Sequence, residues 1–163
     1  MMPSRVAYVI NVFPKLSETF IAGELAELHR RHVGLRVLSL RQPVEILRHD
    51  FIARAGLDKI TCYDPAKFPA LLREFKPQML HAHFATEPTA AARELAQEIG
   101  VPFTFTAHGY DIRRKPPPDF AERAAAKRVH THYTWDQNAS RAVELARSLM
   151  AARRKRAKGG TTP

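Results

Sequence analysis

The sequence predicts an α/β fold, a Rossmann-like doubly wound parallel sheet of about five strands in the order 3-2-1-4-5, with an added C-terminal helix. Three observations carry that prediction. Short apolar, β-branched runs alternate with amphipathic stretches from Arg5 to Thr106. The intervals between these runs are long enough to hold a helix, as parallel pairing requires. Met79 to Thr106 by itself reads as strand, helix and strand, and such a unit brings the carboxyl ends of both strands to one side of the sheet.

Taken in order, Arg5 to Asn11 (RVAYVIN) has little polar interruption, as expected of a strand buried on both faces. Ser17 reads as the N-cap of the first helix, with Glu18 at the positive end of its dipole. Ile21, Leu25 and Leu28 form its buried stripe, and Gly34 is its expected stop. Leu35 to Leu40 is the second strand. Ile46, Leu47, Phe51 and Ile52 suggest a short helix between Gln42 and Asp58, followed by a third strand from Lys59 to Tyr63. Asp64-Pro65 opens another helix with Phe68, Leu71, Leu72 and Phe75 on one face, and Pro69 delays or kinks its start. In the fourth strand Leu80, Ala82 and Phe84 alternate with His81 and His83. Thr86 or Glu87 then starts a helix with Pro88 in its first turn, Ala92, Leu95, Ala96 and Ile99 on one face, and Gly100 as its stop. Val101 to Thr106 is the fifth strand.

Beyond Asp111 the character changes. Arg113-Arg114-Lys115 followed by three prolines reads as a surface loop, Asp119 to Arg128 as a modest helix, and Thr134 to Gln137 as a capping box opening a final helix. The domain organisation expected is a body over residues 1–128, a helix over 129–150 packing back on it, and a basic tail over 151–163 without an apolar face.

The chain has 163 residues, enough for one sizeable core, and no apolar run approaches a membrane span. The single cysteine, Cys62, excludes an internal disulfide and any multi-cysteine metal site, and it fits a reducing, cytoplasmic setting. The net charge is +10, and five of the 26 basic residues fall in the last thirteen, which carry no acid. That balance points to an anionic partner, whether phospholipid headgroups, nucleic acid or an anionic small molecule, unless the tail is simply solvated. Specific nucleic-acid recognition is not expected, because no helix-turn-helix, zinc-finger or RNA-recognition pattern is present.

Ligands in open α/β sheets bind at the carboxyl edge of the strands, near the topological switch between the first and fourth strands. Three loops converge there: Val12 to Glu18, Ala85 to Pro88, and His108 to Asp111. Neither GxGxxG nor GxxxxGK[ST] occurs, so a phosphate at the first loop would have to be met by a bare helix N-terminus. His81 and His83 share one strand face, but no carboxylate or histidine at metal-ligand spacing accompanies them, and no metal is expected. In His108-Gly109-Tyr110-Asp111, glycine permits a tight backbone, and the histidine has a carboxylate three residues on.

FPKLSETFIAGE (Phe13 to Glu24), LHAHFATEP (Leu80 to Pro88) and FTFTAHGYDI (Phe103 to Ile112) together resemble the N-terminal domain of family 4 glycosyltransferases. Within that family the motifs resemble bacterial exopolysaccharide enzymes of the colanic-acid type. The resemblance implies a GT-B architecture, with two Rossmann-like domains facing a cleft, the first holding the acceptor and the second the nucleotide sugar. It implies retaining, metal-independent transfer with no cofactor, a nucleotide diphosphate sugar as donor substrate, and a saccharide or lipid-linked acceptor. His108 becomes the catalytic candidate beside the transferred sugar. Phe13, Pro14, Ser17 and Glu18 would line the acceptor side or approach the donor phosphates, His83 and Glu87 would lie at the cleft edge, and Gly109 and Asp111 would complete the substrate-binding set. The resemblance further implies that a basic first domain of this kind would meet the inner face of the membrane peripherally.

The sequence also departs from that pattern. After FAERAAAKR it passes directly to HYTWDQNASRAVELARSL, which resembles the family's last helix. The donor domain's basic pair and its two glutamates eight positions apart have no counterpart, since no two glutamates here have that spacing. The expectation is a truncated transferase, weak or inactive unless a partner chain supplies a donor domain. The alternative is a non-catalytic basic module for anionic lipid or nucleic acid.

Overall fold

The computed structural model describes residues 4–44, 49–109, 111 and 118. The expectations for Ile46, Leu47, Tyr110, the Arg113–Pro117 run, the helices over 119–128 and 134–150, and the tail over 151–163 lie outside the described residues. Within them the chain forms β1 (Arg5–Val12), α1 (Thr19–Arg30), β2 (Gly34–Arg41), α2 (Asp50–Arg54), β3 (Thr61–Cys62), α3 (Phe68–Phe75), β4 (Met79–His83), α4 (Glu87–Ile99) and β5 (Phe103–Thr106). The strands make one sheet in the order β3-β2-β1-β4-β5, the order expected from the sequence. Every pairing is parallel.

The sheet is covered on both faces, so each strand contributes alternate residues to two cores. Val6, Tyr8 and Ile10 of β1 pack with Leu35, Val37 and Met79 beneath Ile21, Leu25 and Leu28 of α1 and Ile52 of α2. Ala7 and Val9 pack with Leu38, Leu80 and Ala82 beneath Phe68 and Leu72 of α3 and Ala92 and Ala96 of α4. The register sets Tyr8 opposite His81, and His81 opposite Thr104. Strand parity therefore carries Met79, His81 and His83 to the α1 face, while Leu80 and Ala82 face α4.

Several element ends differ from the sequence expectation for identifiable reasons. Ser17 is exposed and is not the N-cap; α1 begins at Thr19, with Glu18 in the cap position and making no side-chain cap. The turn before the helix is closed instead by Glu18 N–H donating to Lys15 O at 3.0 Å, with the Glu18 carboxylate paired to Lys15 Nζ at 2.7 Å. Gly34 does not end α1, which stops at Arg30, but opens β2. β3 is shorter than Lys59 to Tyr63, because the N–H groups of Lys59 and Thr61 close a turn on Gly56 O and Asp58 O. β5 starts at Phe103 because Val101 N–H is taken by Ala96 O and Pro102 has no N–H to offer. Pro69 does delay its helix: Pro65–Lys67 is a 3₁₀ turn capped by the Asp64 side chain, and α3 follows at Phe68. Phe84 lies outside β4, with φ of 70°.

Gly34 has a packing role. Its N–H donates to Ser4 O at 2.7 Å, and a Cβ at this position would lie 2.9 Å from that same carbonyl oxygen and 2.9 Å from Arg5 Cγ. Backbone cannot withdraw as a flexible side chain can. Gly34→Ala should therefore lower stability by ~1–3 kcal/mol, the usual cost of overpacking, read as a reduced urea midpoint with an unchanged slope.

Candidate functional site at the carboxyl edge of the sheet

The polar centre of the molecule sits where β1, β4 and β5 end beneath α1. Parity sends His81 and His83 into the α1 face, and helical spacing supplies what meets them. Glu24 is three residues after Ile21 and four before Leu28, so it lies on the buried stripe of α1 and is itself buried. Tyr8 Oη donates to Glu24 Oε1 at 2.6 Å, wholly out of solvent. The other oxygen, Oε2, is 3.6 Å from His83 Nε2. His83 Nδ1 in turn lies 3.2 Å from His108 Nε2. Tyr8, Glu24, His83 and His108 thus form one continuous polar line from the sheet centre to its edge.

Burial sets the charge states along this line. Glu24 is pushed up from the ordinary carboxyl range to about 7 by desolvation, against which the Tyr8 hydrogen bond works. The Tyr8 hydroxyl is raised well above its ordinary value, first by burial and then by the neighbouring carboxylate, and so remains a donor. His83 is held well below the usual imidazole range by burial, then by His81 and His108. His108 is lowered by burial, partly offset by Asp111. Both histidines are accordingly neutral near pH 7, each with one ring N–H and one lone pair. His83 Nε2 is buried and without a hydrogen-bond partner among the described residues.

His81 is differently occupied. Its Nδ1 is 2.5 Å from Thr104 Oγ1 and its Nε2 is 3.2 Å from Thr106 Oγ1, so β5 satisfies both nitrogens. Among the described residues Glu24, His81 and His83 each place one ligand atom within 4.8 Å of the others, but with both His81 nitrogens held by threonines they do not stand as a set of metal ligands. A cation there would have to displace a threonine from His81. Glu24 was not legible as a partner of the two histidines because it lies 57 positions before His81, beyond any local spacing rule. The available signal was a carboxylate on an otherwise apolar helical stripe.

The loops shape the edge around His108. Phe84 adopts the left-handed region at φ 70°, where a non-glycine residue costs roughly 1–3 kcal/mol. Its N–H donates to Thr106 O at 2.9 Å, and its carbonyl accepts from Thr89 Oγ1 at 2.6 Å. The turn brings the Phe84 ring 4.4 Å from that of His108, centroid to centroid, while Phe20 of α1 packs on His108 at 4.8 Å. Asp111 is buried, and its Oδ2 accepts from Ala85 N–H at 3.0 Å and from His108 N–H at 3.2 Å. One carboxylate oxygen thus joins the loop after β4 to the loop after β5.

Phe13 is core, its N–H donating to Ser39 Oγ at 2.9 Å, and Pro14, joined to it by a cis peptide bond, is also buried. Ser17 and Gly109 are exposed. Glu87 is exposed at the start of α4 and pairs with Arg41 at 2.7 Å; Arg41 also bonds the Asn11 side chain. His83, His108 and Asp111 come together with Gly109 in one edge; Glu18 caps α1 and Glu87 opens α4 beside it, each with a basic partner. Tyr8, Phe20, Glu24, Phe84 and the two threonines complete the site and were not singled out by sequence. Among the described residues no helix is long and apolar enough to cross a membrane.

The family model described as Glycosyltransferase Family 4 matches residues 17–157. The chain belongs to glycosyltransferase family 4. No curated protein matches this family 4 chain. Among solved structures it is similar to the UDP-GlcNAc 2-epimerase of Neisseria meningitidis bound to UDP-GlcNAc, at 20% identity and a TM-score of 0.44, over 73% of this chain and 37% of that one. It therefore spans little more than a third of the epimerase. The C-terminal domain of a Pyrococcus furiosus hydrogenase is similar at 15% identity and a TM-score of 0.36, over 64% of this chain and 93% of that one.

The Tyr8–Glu24 contact in this family 4 domain makes a pH-dependent prediction. Because the folded pKa of Glu24 is raised from 4.5 to about 7, its contribution to stability falls as pH rises through that window. The Tyr8 hydroxyl limits this fall by bonding the ionised form. Tyr8→Phe should cost ~1–3 kcal/mol at pH 8 and measurably less at pH 5, read by urea unfolding at both values. An equal loss at the two pH values would show that Glu24 does not ionise in the fold.

Proposed function

We propose that this chain is the acceptor-side domain of a family 4 glycosyltransferase. It serves hexosyl transfer from a nucleotide diphosphate sugar to a polysaccharide or lipid-linked saccharide, without a metal. The observation that supports this best is the neutral His108, held at the carboxyl edge between Phe20 and Phe84, within the region matched by the family. An aromatic-walled edge with one neutral, partly exposed imidazole suits a polyol, which needs a hydrogen-bond partner and an apolar face more than a charge.

The same edge supports the reading that the domain alone transfers weakly or not at all. Departure of a nucleotide diphosphate requires positive charge or aimed N–H donors at the developing negative charge. Of the described basic residues beside the site, Lys15 is paired with Glu18 and Arg41 with Glu87. The donor contacts would come from a second Rossmann-like body, in a partner chain or elsewhere in a longer protein. A peripheral position at an anionic membrane surface, where lipid-linked acceptors reside, accords with the net charge of +10.

The test uses the purified chain, a panel of UDP- and GDP-sugars and a crude lipid-linked acceptor. Acceptor saccharide should bind without nucleotide, and His108→Ala should weaken that binding about tenfold, the equivalent of ~1.4 kcal/mol. Nucleotide release by the chain alone should stay at background. Release that depends on His108 would instead mean that the chain holds a complete donor site.

A further inference from the structure

The geometry points to Glu24 and His83 as positioning residues that decide whether Nδ1 of His108, the ring nitrogen not engaged with His83, accepts or donates a hydrogen bond to a ligand hydroxyl. Only the identity of that ligand as a sugar rests on the glycosyltransferase reading; the relay itself does not.

Tyr8 holds Glu24 Oε1, so Oε2 is the oxygen left for His83 Nε2 at 3.6 Å. The two atoms must approach by about half an ångström to bond, a displacement of ordinary thermal size. His83 Nδ1 and His108 Nε2, at 3.2 Å, can share only one hydrogen. With Glu24 ionised, His83 donates from Nε2 to the carboxylate and accepts at Nδ1 from His108 Nε2–H. Nδ1 of His108 is then a bare lone pair, an acceptor for a hydroxyl.

With one proton added, the alternative arrangement is equally complete. Glu24 Oε2–H donates to His83 Nε2, His83 Nδ1–H donates to His108 Nε2, and His108 carries its hydrogen on Nδ1, a donor. The two states interconvert by bonds that balance. A proton joins His108 Nδ1, the His108 Nε2 proton passes to His83 Nδ1, and the His83 Nε2 proton passes to Glu24. Neither histidine ends charged, in keeping with the burial that disfavours imidazolium at both rings. The unpartnered, buried Nε2 of His83 is the atom this scheme accounts for.

The other titratable groups packed around the line are bonded elsewhere. Tyr8 of β1 remains a donor, since its hydroxyl is raised well above the ordinary range. His81 of β4 has both nitrogens engaged by Thr104 and Thr106 of β5. Asp111, after β5, has Oδ2 bonded to two backbone N–H groups. On α1, Glu24 is the buried carboxylate, with Glu27 directed to Arg30 and Arg31.

The experiment is a nitrogen NMR titration of the full chain carrying ¹⁵N-labelled histidine, from pH 5 to pH 9. His108 should change tautomer, with its bare nitrogen moving from Nδ1 at high pH to Nε2 at low pH, through a midpoint near 7 and without the signature of imidazolium. Glu24→Gln, which cannot gain a proton, should hold one tautomer throughout. Tyr8→Phe removes the bond that favours the carboxylate and should move the midpoint to higher pH, an independent reading should Glu24→Gln fail to fold. Ordinary protonation of His108 to imidazolium in the native protein, or a midpoint unmoved by Tyr8→Phe, would overturn the inference. Because no substrate is present, failure here is distinguishable from failure of the acceptor-domain reading, which is tested by saccharide binding.

Discussion

Strand parity in a sheet covered on both faces is the constraint on which the site depends. A residue of β4 must enter one of two cores, and the alternation that places Leu80 and Ala82 against α4 obliges His81 and His83 to enter the other. Two imidazoles in a largely apolar layer leave four ring nitrogens to satisfy. β5 meets both nitrogens of His81 with threonine hydroxyls, while His83 has His108 at Nδ1 and leaves Nε2 unbonded, 3.6 Å from the carboxylate that Tyr8 holds. Buried polar residues of β1, β4, β5 and α1 are thus gathered at one place by the choice of residue type at two alternate positions.

Such a network lowers the ceiling on stability. A buried carboxylate raised to about 7 and two imidazoles held neutral contribute less to the fold than aliphatic side chains of similar volume would. Their position at the carboxyl edge beside the switch between β1 and β4 is where a ligand site is expected in this topology, and perturbed ionisation gathers at such places. The left-handed backbone of Phe84 adds a second unfavourable local choice within the same few residues.

Much of the fold was legible because long-range order follows from local pattern in this architecture. The strand order required only that β1 lack polar interruption and that connections be helical, and the stripe Ile21, Leu25, Leu28 located the α1 face directly. The element ends were less legible, since backbone groups chose among competing partners: Val101 N–H went to Ala96 rather than to β4, and the turn from Lys15 to Glu18 displaced Ser17 from its cap. In the site, His83, His108 and Asp111 could be brought together from topology alone. Glu24 could not, because a glutamate in a helix is by default assigned to solvent, and only its stripe position argued otherwise. Tyr8 read simply as core, which it is; its hydroxyl has a partner only because Glu24 lies above it.

The doubly bonded carboxylate of Asp111 fixes a distance between two loops that belong to different strands. Ala85 and His108 therefore cannot drift independently, and whatever touches one finds the other already in register. A ligand bridging them loses less freedom on binding, since the relative placement of its two contacts was settled when the chain folded. In the language of association, the domain presents a surface whose ordering entropy has been charged to folding, leaving more of the contact energy available as affinity.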